Sequence, residues 1–285
     1  MQSVFLALLL AAILALLAER TRQGLQRVFL RAPALVWLVP PVLTGYFLLA
    51  SLAAGPPSWP LILIVLAYTA APVACVYLGA SAFLTILLLW LPLEFPAPAA
   101  RLIAKHSQGF LHSVAYGVAI LLGVTLFACF RRADGMKYNL PRSWSDLRLS
   151  LMGFALTAPV LAVVGIAIGF IPPPHAPAAG AGRMASAAAI IFAGTALPEE
   201  ILFRSMIQNF LMQRFGNRTR TLVLASLIFG AAHLDNGPQP LPNWRYMILA
   251  TIAGFGYGKV FQRSSTVLSS ALFHALVDWT KHFFF

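Results

Sequence analysis

LILIVLAYTAAPVACVYLGASAFLTILLLWLPLE, residues 61 to 94, carries no charged side chain before Glu94. It is too long for one upright helix across a ~30 Å hydrocarbon core and short for two, with Pro72 and Gly79 as its natural breaks. It reads as a tight hairpin or a re-entrant pair of membrane helices. Similar apolar runs recur from end to end, near residues 4–18, 33–54, 110–130, 149–170, 184–206, 221–235, 245–262 and 265–284. Short Pro/Gly or basic stretches separate them.

The composition agrees. Of the 285 residues 60% are hydrophobic and 10% charged, and the mean hydropathy is +0.81, whereas an ordinary soluble domain has about 25% charged residues. The expected fold is all-α, a polytopic transmembrane helix bundle of about 8–10 spans in the cell membrane. No room remains for a soluble domain. The net charge of +12 sits in short clusters between apolar runs and forms no basic face interleaved with aromatic residues, so a nucleic-acid partner is not expected. The clusters read instead as positive-inside topology marks beside a lipid bilayer.

Charge also orders the chain. The opening MQSVFLALLLAAILALLAER lacks the basic leader of a secretory signal and reads as a first membrane helix, with Arg20, Arg22, Arg27 and Arg31 marking its cytoplasmic end. If residues 60–93 cross twice, every basic cluster except Arg101 and Lys105 falls on the cytoplasmic side. Residues 131–148, RRADGMKYNLPRSWSDLR, form a cytoplasmic basic linker between N-terminal helices, 1–130, and a C-terminal core, 149–285. Ser143 and Asp146 nearly match a capping box, which predicts a helix start there. The Pro-rich stretch 171–183 belongs to the opposite face. Cys75 and Cys129 lie in apolar runs and read as small hydrophobes.

Only eight acids exist, and Glu199, Glu200 and Asp278 fall inside expected spans. A charge at the centre of a span costs about 2.5 to 3.5 kcal/mol even on the lenient insertion scale, so such a group points to function. In ALPEEILFRSMIQNF, 196–210, Glu200 and Arg204 are four apart and share a helix face, which pairs their charges. Glu199 is rotated about 100° from that pair and faces what the bundle encloses, placed for proton transfer. Pro198 is expected to bend the helix there. In SLIFGAAHLDN, 226–236, His233 follows Phe229 by four; in SSALFHALVDW, 269–279, His274 and Asp278 share a face, where the carboxylate can orient the imidazole. Counted from Arg214, Arg220 and Arg263, Glu199, His233 and His274 lie roughly 22, 20 and 16 Å deep at ~1.5 Å per residue. His106, His112, His175 and His282 read as interfacial, and the glycines of GFGYG, 254–258, as close helix packing.

The ordered set EE-x-x-x-R, F-x-x-x-H and H-x-x-x-D, each on its own helix, resembles the CPBP family of intramembrane proteases, which includes the type II CAAX prenyl proteases and the Abi proteins. The resemblance covers roughly residues 140–285, with PRSWSDLRLSLMGFAL similar to the usual lead-in. It implies a glutamate-dependent endopeptidase without a cofactor that cleaves near the C-terminus or membrane segment of a membrane-anchored or transmembrane protein, a CAAX-type tail or a C-terminal sorting signal. Glu199 and His233 would then activate water, His274 and Asp278 stabilise the oxyanion, and Glu200, Arg204 and Phe229 hold the site in shape. Asp278 departs from the family, where Asn is usual, because an ionised carboxylate cannot donate a hydrogen bond. Glu199, His233, His274 and Asp278 are also a plausible Zn²⁺ set for a metalloprotease. Buried acids and His also occur in proton-coupled transporters, and a non-catalytic immunity scaffold would keep the same fold.

Overall fold

A computed structural model of the chain describes residues 2–53, 57–94, 109–237 and 240–285. Among these every regular element is helical, as an apolar environment requires of a backbone that must satisfy its own polar groups. Arg101, Lys105 and His106 lie outside the described residues. The chain forms two compact units, Met1–Gly135 and Met136–Phe285.

In the first unit, α1 (Gln2–Ala15) and α2 (Glu19–Arg31) meet at 82°. Arg22 turns back to donate to the carbonyls of Leu16 and Leu17 at 2.7 and 2.6 Å, satisfying oxygens at the end of α1. The arginines read as topology marks therefore belong to a second, amphipathic helix. A 3₁₀ turn at Pro33–Leu38 leads into α3 (Val39–Ser51). The opening run folds as α4 (Trp59–Tyr77) and α5 (Ala82–Glu94), a helical hairpin. Gly79, at φ +76°, makes the turn, whereas Pro72 stays buried inside α4. The Tyr68 hydroxyl donates to the Leu89 carbonyl at 2.6 Å and ties the two arms together. α6 (Gly109–Phe130) ends in a π-helical turn from Thr125.

The second unit begins inside the basic stretch. The Lys137 ammonium donates to the carbonyls of Phe261, Gln262 and Ser264 at 2.6, 3.1 and 2.9 Å, which closes a helix C-terminus with a cation. α7 runs from Trp144 to Ala167, so the helix starts where the capping signal places it. The cap itself differs: Ser143 turns to the Ser145 hydroxyl, and Asp146 accepts from the backbone of Arg142 and from both the backbone and hydroxyl of Ser265. The acid is thus spent on a tertiary contact 119 residues away.

α8 is one helix of 35 residues, Ala181–Phe215, followed by α9 (Thr219–Ala231), α10 (Trp244–Arg263) and α11 (Leu268–Phe284). α10 packs on α7, α9 and α11, and α11 also lies on α7 and α8. Glycines permit the closest approaches. A Cβ at Gly230 would meet the Thr251 hydroxyl at 2.0 Å, and one at Gly258 would meet Gln208 and Leu222 at 2.5 Å.

Five helices among the described residues are long and apolar enough to cross a membrane: Pro33–Ser51, Trp59–Tyr77, Gly109–Phe130, Trp144–Ala167 and Ala181–Phe215; the bent α1–α2 pair would make six. The sequence reading expects about 8–10. The difference lies in short helices such as α5 and α9, 13 residues each, and in α10 and α11, whose polar residues dilute their apolar character.

Candidate active site

α8 carries Glu199, Glu200 and Arg204, and its geometry is unusual around them. The helix widens to π form at Phe192–Ala196 and again at Ile201–Gln208, with one α turn, Leu197–Glu200, between. Pro198 sits in that turn. Having no N–H, it cannot close the i→i−4 ladder, and π turns absorb the mismatch where the sequence reading expects a bend. Such turns often mark functional sites.

Glu200 and Arg204 are fully buried, with Arg204 Nε donating to Glu200 Oε2 at 3.0 Å. Arg204 Nη1 reaches Gln208 Oε1 at 3.3 Å, and the guanidinium lies 4.9 Å from the Phe229 ring centroid, a cation–π contact in a desolvated setting. Gln208 in turn donates to the Gly258 carbonyl at 3.0 Å. Arg204 therefore joins α8 to α9 and, through Gln208, to α10.

His274 enters from α11 and stands between the two glutamates. Its Nδ1 is 3.1 Å from Glu200 Oε1, its Nε2 3.9 Å from Glu199 Oε2 and 3.4 Å from Asp278 Oδ2. The sequence reading turns Glu199 away from the Glu200 pair and gives Asp278 alone the task of orienting the imidazole. Instead the adjacent acids address opposite nitrogens of one ring, which is long enough to bridge them. Tyr257 stacks on that ring, centroids 4.5 Å apart at 17°. Four groups from three helices fix its plane.

His233 lies just past the end of α9. Its Nδ1 is 2.8 Å from the Phe229 carbonyl; a carbonyl only accepts, so Nδ1 carries the proton and Nε2 presents a lone pair. The Phe229 ring contacts both imidazoles, at 4.7 Å from His233 and 5.8 Å from His274. Both line one cavity of about 90 Å³ together with Asp278, Tyr246, Tyr257 and Lys281. Most of the rest of its wall is apolar, alkyl at residues such as Ala158, Leu161, Ala162 and Leu249 and aromatic at Phe170, Phe229 and Phe285. Glu199 reaches this group through His274, and its side chain is 23% exposed where Glu200 is sealed.

Residues 182–280, about a third of the chain, match the family described as type II CAAX prenyl endopeptidase Rce1-like. That stretch of the second unit is similar to this family. Its family is one of peptidases, hydrolases acting on peptide bonds, which work on membrane-associated proteins. No curated protein and no solved structure matches the chain. The CAAX segment holds every sequence-selected site residue: Glu199, Glu200, Arg204, Phe229, His233, His274 and Asp278 all fall within it. Among the described residues no group of three or more His, Cys, Asp or Glu is arranged to hold a metal ion.

Sequence spacing misses four participants. Tyr246 packs edge-on to His233 at 4.6 Å, Tyr257 stacks on His274, Gln208 buttresses Arg204, and Lys281 lines the cavity. Tyr257 sits within GFGYG, where the glycines draw the eye, and no helical spacing links it to an imidazole on another helix. Lys281 alone had a signal, standing seven residues after His274 on the same helix face. The remaining histidines lie elsewhere: His112 packs on Tyr116, exposed His175 is held by its backbone to Phe284, and exposed His282 contacts Phe283.

Proposed function

We propose that the chain is a glutamic-type intramembrane endopeptidase, cofactor-free, that cuts a membrane-anchored protein near its C-terminus. The observation that carries this reading is the bracketed imidazole: His274 held between Glu199, Glu200 and Asp278 on the wall of a cavity that His233 also lines. Glu199 accepts a proton from the attacking water, with the His233 Nε2 lone pair as the second acceptor. The water oxygen adds to the peptide carbonyl carbon. A proton on His274 Nε2 then faces the developing oxyanion, the arrangement that commonly supplies a large share of catalysis. Collapse breaks the C–N bond, and the proton held by Glu199 passes to the leaving amine.

Glu200 and Arg204 do not touch the substrate in this scheme; they position His274 and α9. Asp278, where the family usually has Asn, restrains the His274 ring, and the oxyanion displaces it from Nε2. The test compares C-terminal fragments of membrane proteins by mass spectrometry in cells expressing wild type, Glu199→Gln or His233→Ala. Fragments that depend on both residues are expected. Identical fragment patterns in the three strains would end the peptidase assignment of these residues.

A further inference from the structure

The scheme above gives the oxyanion one donor, His274 Nε2. Asp278, 3.4 Å from that nitrogen, can only accept a hydrogen bond while it is ionised. A single donor beside a carboxylate is a poor match for developing negative charge, and one phenol in the cavity is placed to supply a second. Tyr257 is 1% exposed and lies nearly flat against His274, ring centroids 4.5 Å apart at 17°. Its neighbour Gly256 permits that approach of α10 to α11, since a Cβ there would meet the Phe273 ring at 3.1 Å. Phe273 and Phe229 contact the Tyr257 ring edge-on, yet the residue lines the cavity of His233 and His274. Its hydroxyl has no hydrogen-bond partner among the described residues and is not sealed off, so it faces the cavity. The direction of the hydroxyl follows from the helices. α10 and α11 run antiparallel: Tyr257 meets His274, whereas Tyr246, earlier on α10, meets Lys281, later on α11. Side chains on a helix lean toward its N-terminus, so Tyr257 leans from the level of His274 toward that of Asp278, the Nε2 side of the imidazole. The cavity's other phenol, Tyr246, packs edge-on to His233 instead. Lys281, the cation at the cavity mouth, lies about 10 Å along α11 from His274, with its ammonium against the rings of Phe170 and Tyr246.

We propose that Tyr257 is a catalytic residue whose hydroxyl donates the second hydrogen bond to the oxyanion, the part that an ionised Asp278 cannot take. The inference rests on the peptidase reading above and adds a donor which that reading lacks. The phenol keeps its proton throughout. Its hydrogen bond forms as water adds to the peptide carbonyl and is released when the C–N bond breaks and the carbonyl is restored. The hydroxyl thus binds the tetrahedral state more strongly than the substrate, which is the condition for raising kcat. The flat contact with His274 gives the hydroxyl a fixed place, because the imidazole is itself held by Glu200 and Asp278.

The test starts from a membrane protein whose C-terminal fragment appears in cells only when Glu199 is intact, which defines a substrate without presuming its sequence. That protein and the full chain are reconstituted in proteoliposomes, and kcat and KM are measured for wild type, Tyr257→Phe, Asp278→Asn and the double variant. Tyr257→Phe keeps the stacked ring and removes a hydroxyl that has no protein partner, so the melting temperature should hold. Its kcat should fall by about 100-fold or more with KM little changed, as for the loss of one oxyanion donor. Adding Asp278→Asn to Tyr257→Phe should restore kcat by about tenfold or more, because the amide supplies a donor where the carboxylate cannot. A purely structural tyrosine would give no such rescue. Three results overturn the proposal and leave the peptidase reading standing: a Tyr257→Phe kcat within about threefold of wild type, a loss confined to KM, or a kcat loss that Asp278→Asn leaves unrelieved. If no fragment depends on Glu199, the peptidase reading fails and the proposal fails with it.

Discussion

Adjacent glutamates differing in burial should fail differently when each is replaced by Gln. Glu200 has no exposed surface, accepts from Arg204 at 3.0 Å and faces His274 at 3.1 Å. Glu200→Gln removes the countercharge of a guanidinium that is itself fully buried. Breaking one side of a buried pair costs about 3–5 kcal/mol because the remaining charge is left uncompensated. For a unit of about 150 residues that shift corresponds to a melting temperature lower by on the order of 10 °C. Glu199 is partly exposed and stands 3.9 Å from His274 Nε2, so Glu199→Gln should move the melting temperature by no more than about 3 °C, the effect of under ~1 kcal/mol. Both variants should lose peptide cleavage. Thermal denaturation of the detergent-solubilised protein, followed by fluorescence-detected size exclusion, separates the two. A Glu200→Gln protein as heat-stable as wild type would refute the structural role assigned to the pair.

Other outcomes follow from the same geometry. Activity should survive dialysis against strong chelators; loss that is restored by added zinc would replace the cofactor-free scheme. Asp278→Asn, which exchanges the carboxylate 3.4 Å from His274 for an amide donor, should keep cleavage within about tenfold of wild type, because the amide can hydrogen-bond the oxyanion directly; a loss beyond about 100-fold would give the carboxylate an essential role. Gly258→Ala forces a methyl to 2.5 Å from Gln208 and Leu222 and should destabilise by about 1–3 kcal/mol, read as a lower melting temperature. In the second unit, exposed Arg142, Arg148, Arg214, Arg218, Arg220 and Arg263 mark one end, and the cavity mouth with Lys281 lies toward the other. By the positive-inside rule, alkaline phosphatase fused after Phe285 should be active in bacterial cells and a green fluorescent protein fusion dark; the opposite result would place the mouth on the cytoplasmic side.

The helical membrane character is legible because it needs only composition and run length, as residues 61–94 show. Pairing on one helix is legible too: Glu200 with Arg204, and His274 with Asp278, meet at the four-residue spacing that the α-helix imposes. Contacts between helices leave no such trace. That Glu200 reaches His274, 74 positions away, depends on how α8 and α11 pack. The span count rests on run length: among the described residues five helices pass a length and apolarity test, or six with the bent α1–α2 pair, while shorter apolar helices such as α5 and α9 fall below it.

The site's oddest sequence feature, two neighbouring acids in an apolar run, resolves into a division of labour that only a widened helix and a shared imidazole make possible. A buried carboxylate without a cation would be strongly disfavoured, and Arg204 compensates one of them, Glu200. That compensated acid can then anchor Nδ1 of His274, while the second acid, more accessible, stands beside Nε2. Exchanging the two positions would seal the reactive carboxylate and expose the anchoring one. The order of the doublet, together with the four-residue step to Arg204, is therefore part of the chemistry: it determines which glutamate holds the imidazole and which one works beside it.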